Sequence, residues 1–221
     1  MTPYNTCLLA LFFISFSYAQ QSKLDIGVSI TPVVTWLRGT DDIDRNFHKR
    51  FNVSPGLTLD YNFSDNWFLS SGIAYENKSV IRTTTVTLGD RTFVSENENT
   101  QNYEYLNLPL LLGYKTNGRT QFYASAGGFV GILLKQENIS IFTTPNSESE
   151  TVVDNTENTK TTDFGLALAT GLKILLTDSL YLDIGARQFL GLTNVSEVEL
   201  PDNGEIKTNS IGLQVGLKYK I

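Results

Sequence analysis

The sequence predicts an all-β fold: an eight-stranded antiparallel up-and-down transmembrane β-barrel with three short periplasmic turns and four long outer loops. Three observations predict it. Apolar and polar residues alternate with a period of two along most of the chain, as they do along strands whose two faces meet different surroundings. Long and short connections alternate in strict order, as in outer-membrane barrels. The polar strand faces are crowded with Gly, Ala and Ser, which suit a narrow lumen better than a solvated wall.

The first nineteen residues read as a signal peptide, with the barrel domain at 20–221. Leu8–Phe16 is apolar but too short to span a bilayer as a helix, and Ser17-Tyr18-Ala19 offers small residues for cleavage before Gln20. Cys7 precedes this apolar run, so the mature chain holds no cysteine and neither disulfides nor thiolate metal sites. The net charge of −6 argues against nucleic acid as a partner.

Leu24–Leu37 is the first strand, with Leu24, Ile26, Val28, Ile30, Pro32, Val34 and Trp36 on one face. Arg38–Lys49 is polar and reads as a loop. Arg50–Phe63 is the second strand, and Ser64-Asp65-Asn66 turns the chain. Trp67 opens a third strand through Leu69, Ile73 and Tyr75, which can run through the β-prone Thr83–Thr87 to Leu88. Gly89–Asn102 is acidic and polar, a second loop. Tyr103–Lys115 is the fourth strand. Asn117-Gly118 marks a hairpin turn, because Gly and Asn accept the positive φ that such turns need. Thr120–Lys135 is the fifth strand. Gln136–Lys160 is the longest polar stretch, with Glu148–Glu157 expected as a mobile tip. Thr161–Leu176 and Leu180–Thr193 are the sixth and seventh strands, joined by Thr177-Asp178-Ser179. After the loop Asn194–Lys207, Asn209–Ile221 alternates without a break and should pair with the first strand, removing the last open edge.

A lipocalin-like barrel alternates too, with its greasy face inside. The small residues at Gly27, Ser29, Gly56, Ser70, Ala167, Ala169 and Gly216 instead place the polar face in the lumen. Tyr61, Phe63, Trp67, Tyr114, Phe122 and Tyr219 sit on the apolar face near the short turns, as an interfacial aromatic girdle would. The cell outer membrane is the expected location.

The segment Tyr105-Leu106-Asn107-Leu108-Pro109-Leu110-Leu111-Leu112-Gly113-Tyr114 resembles the central strand of PorT-like outer-membrane β-barrels, as does the ending Gly216-Leu217-Lys218-Tyr219-Lys220. This chain ends in Ile221 where that family usually ends in Phe. The resemblance implies an outer-membrane barrel and no particular activity.

The polar faces carry Asp60, Glu76, Lys173, Asp183, Arg187 and Lys218. Charges inside a narrow barrel must pair, so a structural charge network is expected. Arg187 and Glu76 are candidates for a mid-lumen pair, with Asp60, Asp183 and Lys173 nearer the short turns. His48, the chain's one histidine, lies in a loop, so no base for hydrolase or acyl-transfer chemistry is expected. Asp41, Asp42 and Asp44 form a D-D-x-D run without the later Gly and Glu of a calcium loop. The N-x-S/T triplets, Asn77-Lys78-Ser79 among them, are compositional. No catalytic residue, metal or cofactor is expected.

Eight strands leave an interior that side chains just fill. The expected role is therefore a structural or interaction barrel, monomeric, held by outer-membrane lipid and presenting loops to envelope or secretion-machinery proteins. The alternatives are a small transport or channel protein and a soluble secreted binding barrel.

Overall fold

The computed structural model describes residues 23–39, 43, 45, 47–89, 93–199 and 204–221. The expected signal peptide, 1–19, and the D-D-x-D run at Asp41, Asp42 and Asp44 lie outside the described residues. The strands are β1 (Leu24–Gly39), β2 (His48–Asn62), β3 (Trp67–Asn77), β4 (Val80–Thr87), β5 (Phe93–Lys115), β6 (Thr120–Thr144), β7 (Ser147–Asp154), β8 (Thr162–Leu175), β9 (Leu180–Gly191) and β10 (Ile206–Lys220). Every pairing is antiparallel. Following the partners from β1 through β2, β3, β5, β6, β8, β9 and β10 returns to β1, a closed ring of eight. The closing pair runs from Asp25 opposite Lys220 to Gly39 opposite Ile206.

Alternation sets the two walls. Along β1 the even residues Ile26, Val28 and Ile30 are exposed, while the odd residues from Asp25 to Leu37 are buried. Leu213, Leu110 and Val28 leave 69, 57 and 56 % of their surface open, as only a wall facing lipid would tolerate across so many strands. Short turns join β2 to β3, β5 to β6 and β8 to β9, on the side where β1 begins and β10 ends. In the β5–β6 turn Gly118 takes φ 119°, a left-handed value that favours glycine.

Two polar stretches read as loops are strands. Gly89–Asn102 contributes the first part of β5, which pairs with β4 from Thr87 back to Val80 and with β6 as far as Glu96 opposite Thr143. Gln136–Lys160 contains the end of β6, all of β7 and a short 3-10 turn at Thr156–Asn158. The acidic Glu148–Glu157 stretch, expected as a mobile tip, is largely β7. The physical reason is common to both. Above the membrane a sheet is wet on both faces, so its strands need no greasy face and their composition resembles that of loops. β5 and β6, at 23 and 25 residues, far exceed the roughly 9–11 that cross a membrane. With β4 and β7 they form a four-stranded blade standing on the outer rim.

Two apolar clusters fill the interior. Ala74, Leu111, Phe129, Ala167 and Phe189 pack at mid-height. At the outer mouth Leu37, Ile43, Val80, Tyr103, Tyr105, Leu133 and Val195 form a plug, backed by Phe47 and Ile206.

Candidate functional site

Inward-facing positions of six strands build the lumen into three tiers of charge. In the lowest, Lys173 Nζ (β8) and Lys218 Nζ (β10) each lie 2.7 Å from Asp60 Oδ2 (β2). Lys218 Nζ is also 3.1 Å from Asp183 Oδ2, and Lys173 Nζ 3.8 Å from Asp25 Oδ2. The Ser70 hydroxyl donates to Asp60 at 2.6 Å, and Tyr123 and Gln214 donate to Asp183 at 2.9 and 3.3 Å. The Phe68 ring, 4.6 Å from Lys173 Nζ, covers the cation with a π face. Phe68 stands opposite Gly113 on β5, where a Cβ would fall 2.2 Å from its ring, so glycine makes room for the aromatic.

The middle tier is Glu76 and Arg187, with Nη2 to Oε1 at 3.7 Å. Ser210 and Asn107 donate to Glu76 Oε2 at 2.8 and 3.2 Å, while Glu76 Oε1 has no hydrogen bond. Arg187 donates to the Ser54 hydroxyl at 2.9 Å and lies over Phe189. The upper tier, Lys78 and Asp163 at 3.1 Å, is 0 % exposed. Lys78 also donates to the Thr208 hydroxyl at 2.8 Å, which in turn donates to Asp163 Oδ2 at 2.5 Å. The Tyr105 and Phe129 rings flank the ammonium at 4.9 and 4.8 Å. This pair lies against the outer plug, which shares Tyr105.

Asp60, Lys173 and Asp183 thus come together through Lys218 in the lowest tier, and Glu76 meets Arg187 above them. The sequence reading omitted Asp25, Asp163 and Lys78. Asp25 and Asp163 lie on polar strand faces, in step with Gly27 and Gly165. Lys78, in a triplet read as compositional, keeps step with Ala74 and Glu76; two-residue counting would have found all three.

Between the lower and middle tiers is a small cavity of about 40 Å³, lined by Thr58, Tyr123, Arg187 and Lys218 among others. That is room for about one water molecule. On the short-turn side a polar vestibule of about 650 Å³ is lined by Lys23, Asp25, Asn62, Lys115, Tyr181 and Lys220. Among the described residues no cluster of His, Cys, Asp or Glu is arranged to hold a metal ion. His48 is exposed at the start of β2, opposite Ile81.

The blade has two unlike faces. Residues opposite one another across a sheet share a face, as do residues two apart on one strand. The rows Glu98–Ile141–Glu150 and Glu96–Thr143–Glu148 therefore lie on one face, with Glu137 opposite Asp154. The other face of β5, β6 and β7 carries Asn97, Asn99, Asn138, Ser140, Phe142, Ser149, Thr151 and Val153, with no charge. Lys135 Nζ, 2.5 Å from Glu137, offsets the Glu137–Asp154 opposition.

Residues 18–197 match the model of the outer membrane protein beta-barrel domain family. The chain belongs to this family. It is a small β-barrel protein of the cell outer membrane, which removes the soluble secreted barrel from the readings above. No curated protein sequence matches it. Among solved structures it is similar to Neisserial surface protein A, at 14 % identity over 90 % of this chain and 97 % of that one, TM-score 0.49. It is also similar to OprG from Pseudomonas aeruginosa, at 16 % identity over 90 and 94 % of the two chains, TM-score 0.38. Ail of Yersinia pestis is 13 % identical over 88 and 98 %, TM-score 0.36.

Proposed function

We propose that this protein is a non-enzymatic structural and interaction barrel: a closed, monomeric membrane plug that carries a rigid blade to partners outside the cell. The observation carrying this reading is the filled lumen. Three tiers of charge and an apolar plug occupy its height, and the cavity between tiers has room for about one water molecule. In this reading the charges are structural. The enclosing lipid is one partner, and envelope or secretion-machinery proteins at the outer surface are the others; the net negative charge speaks against nucleic acid. The narrower PorT-like assignment rests on Tyr105–Tyr114 and belongs to this proposal, as does the division into signal peptide and barrel.

Planar-bilayer recording of the refolded chain tests it. The expected result is an absence of steady conductance from the monomer. Steady single-channel currents would overturn the plug and favour the transport reading. Crosslinking from engineered cysteines at Thr144 and Ser147, at the blade tip, should capture outer-surface proteins.

A further inference from the structure

The end of the blade is an open strand edge whose charges are all carboxylates. β7 is the last strand of the sheet order, and its one strand partner among the described residues is β6. It is paired from Glu137–Asp154 to Thr144–Ser147 with no register shift, and every residue of it is exposed. Edges that must stay free are blunted with charged side chains, Lys above all, with Pro or with a bulge. Ser147–Asp154, S-E-S-E-T-V-V-D, has no Lys, Pro or bulge, and its carboxylates repel an acidic strand while leaving the edge open to a basic one. Its unpaired backbone groups are ready for another strand, and Glu148, Glu150 and Asp154 stand at alternate positions on the acidic face.

We infer that the β7 edge accepts an extended, basic segment of a partner protein as an added antiparallel strand. This rests on the interaction reading above. Backbone hydrogen bonds would hold the segment, and alternate side chains would select it. Counted from the segment's N-terminal end, the positions opposite Asp154, Val152, Glu150 and Glu148 call for basic, apolar, basic and basic residues, each separated by one residue that faces the uncharged side. Opposite charges directly across a strand pair are favourable and like charges are not. A second copy of this chain fits poorly. In the same membrane, a copy turned about the membrane normal to bring its β7 edge alongside presents β7 in the same direction, which permits only a parallel pair, and its acidic face falls on the other side of the joined sheet, so no basic row meets the carboxylates.

The test uses the full mature chain refolded in detergent micelles and a fluorescent synthetic peptide, Lys-Thr-Val-Thr-Lys-Thr-Lys. Two controls accompany it: a scrambled peptide, and one N-methylated along a single backbone edge. Fluorescence anisotropy should show binding of the parent peptide alone. The double variant Glu148→Gln/Glu150→Gln should weaken it about tenfold. Absence of parent binding overturns the inference, as does equal binding by the scrambled or N-methylated peptide, which would reveal charge attraction without strand addition. Self-association of the chain, seen by sedimentation and captured by crosslinking between single cysteines placed on β7 of two copies, would overturn it in favour of a second copy. Each of these results leaves the conductance test untouched, so failure here is distinct from failure of the plug.

Discussion

Lys78 and Asp163, 85 residues apart in the chain, meet 3.1 Å from each other with no surface open to solvent. They tie the break between β3 and β4 to the outer end of β8. Removing either partner leaves the other charge buried without compensation, which costs about 3–5 kcal/mol. Lys78→Met and Asp163→Asn should each lower unfolding stability by that order in urea titrations of the barrel in lipid vesicles. The double change Lys78→Met/Asp163→Leu should cost less than the sum of the singles, because it leaves no orphaned charge.

Arg187→Ala should lower the unfolding temperature. Glu76 is fully buried, and its Oε1 has no hydrogen bond, so the guanidinium 3.7 Å away is the cation that compensates it. The expected loss is again about 3–5 kcal/mol. Arg187→Ala/Glu76→Gln should recover part of it. Unchanged stability in Arg187→Ala would refute a structural role for this tier.

How much of this was legible in the sequence follows from what each residue faces. β1 and β10 could be read to within a few residues because lipid on one side and lumen on the other force alternation at every step. The blade could not. In Glu96–Asn99 and Ser147–Thr151 both faces are wet, so nothing in the composition separates strand from loop. The lumen charges were readable by parity, as Asp60 and Asp183 illustrate. Their partners were not, because strand stagger around the ring decides which residues share a height. Lys173 reaching Asp60 across the barrel follows from that stagger.

Gly113→Ala should destabilise the barrel by about 1–3 kcal/mol, the usual cost of overpacking a dense interior. The added methyl would fall 2.2 Å from the Phe68 ring. Phe68 is packed over Lys173 and edge-on to Tyr123, so the ring has little freedom to give way. Pairing the change with Phe68→Leu should cost less than the two separate losses combined, measured by urea unfolding.

Asp154 should titrate below the ordinary carboxylate range. Hydrogen bonding by the Thr156 hydroxyl and the Thr156 backbone N–H, the latter at 2.9 Å, favours its charged form. Because the folded value is depressed, the stability this contact lends the hairpin base is present above the unfolded carboxylate value. It is lost as pH falls through the folded one. Carboxyl carbon NMR of Thr156→Val should show Asp154 moving up toward the ordinary value. An unmoved titration would rule out the hydroxyl as a cause.

Near the short turns, the backbone N–H of Ile221 donates to the carbonyl of Leu24 at 2.8 Å, so the strands most distant in the chain are neighbours in space. Closure therefore has the longest possible contact order and cannot begin until β10 has been made and delivered. Until then the chain holds two open strand edges in or beside the bilayer, each a template for mispairing. Its safety during export depends on timing: the interval between the arrival of β1 and that of β10 is the one in which a holding partner is needed.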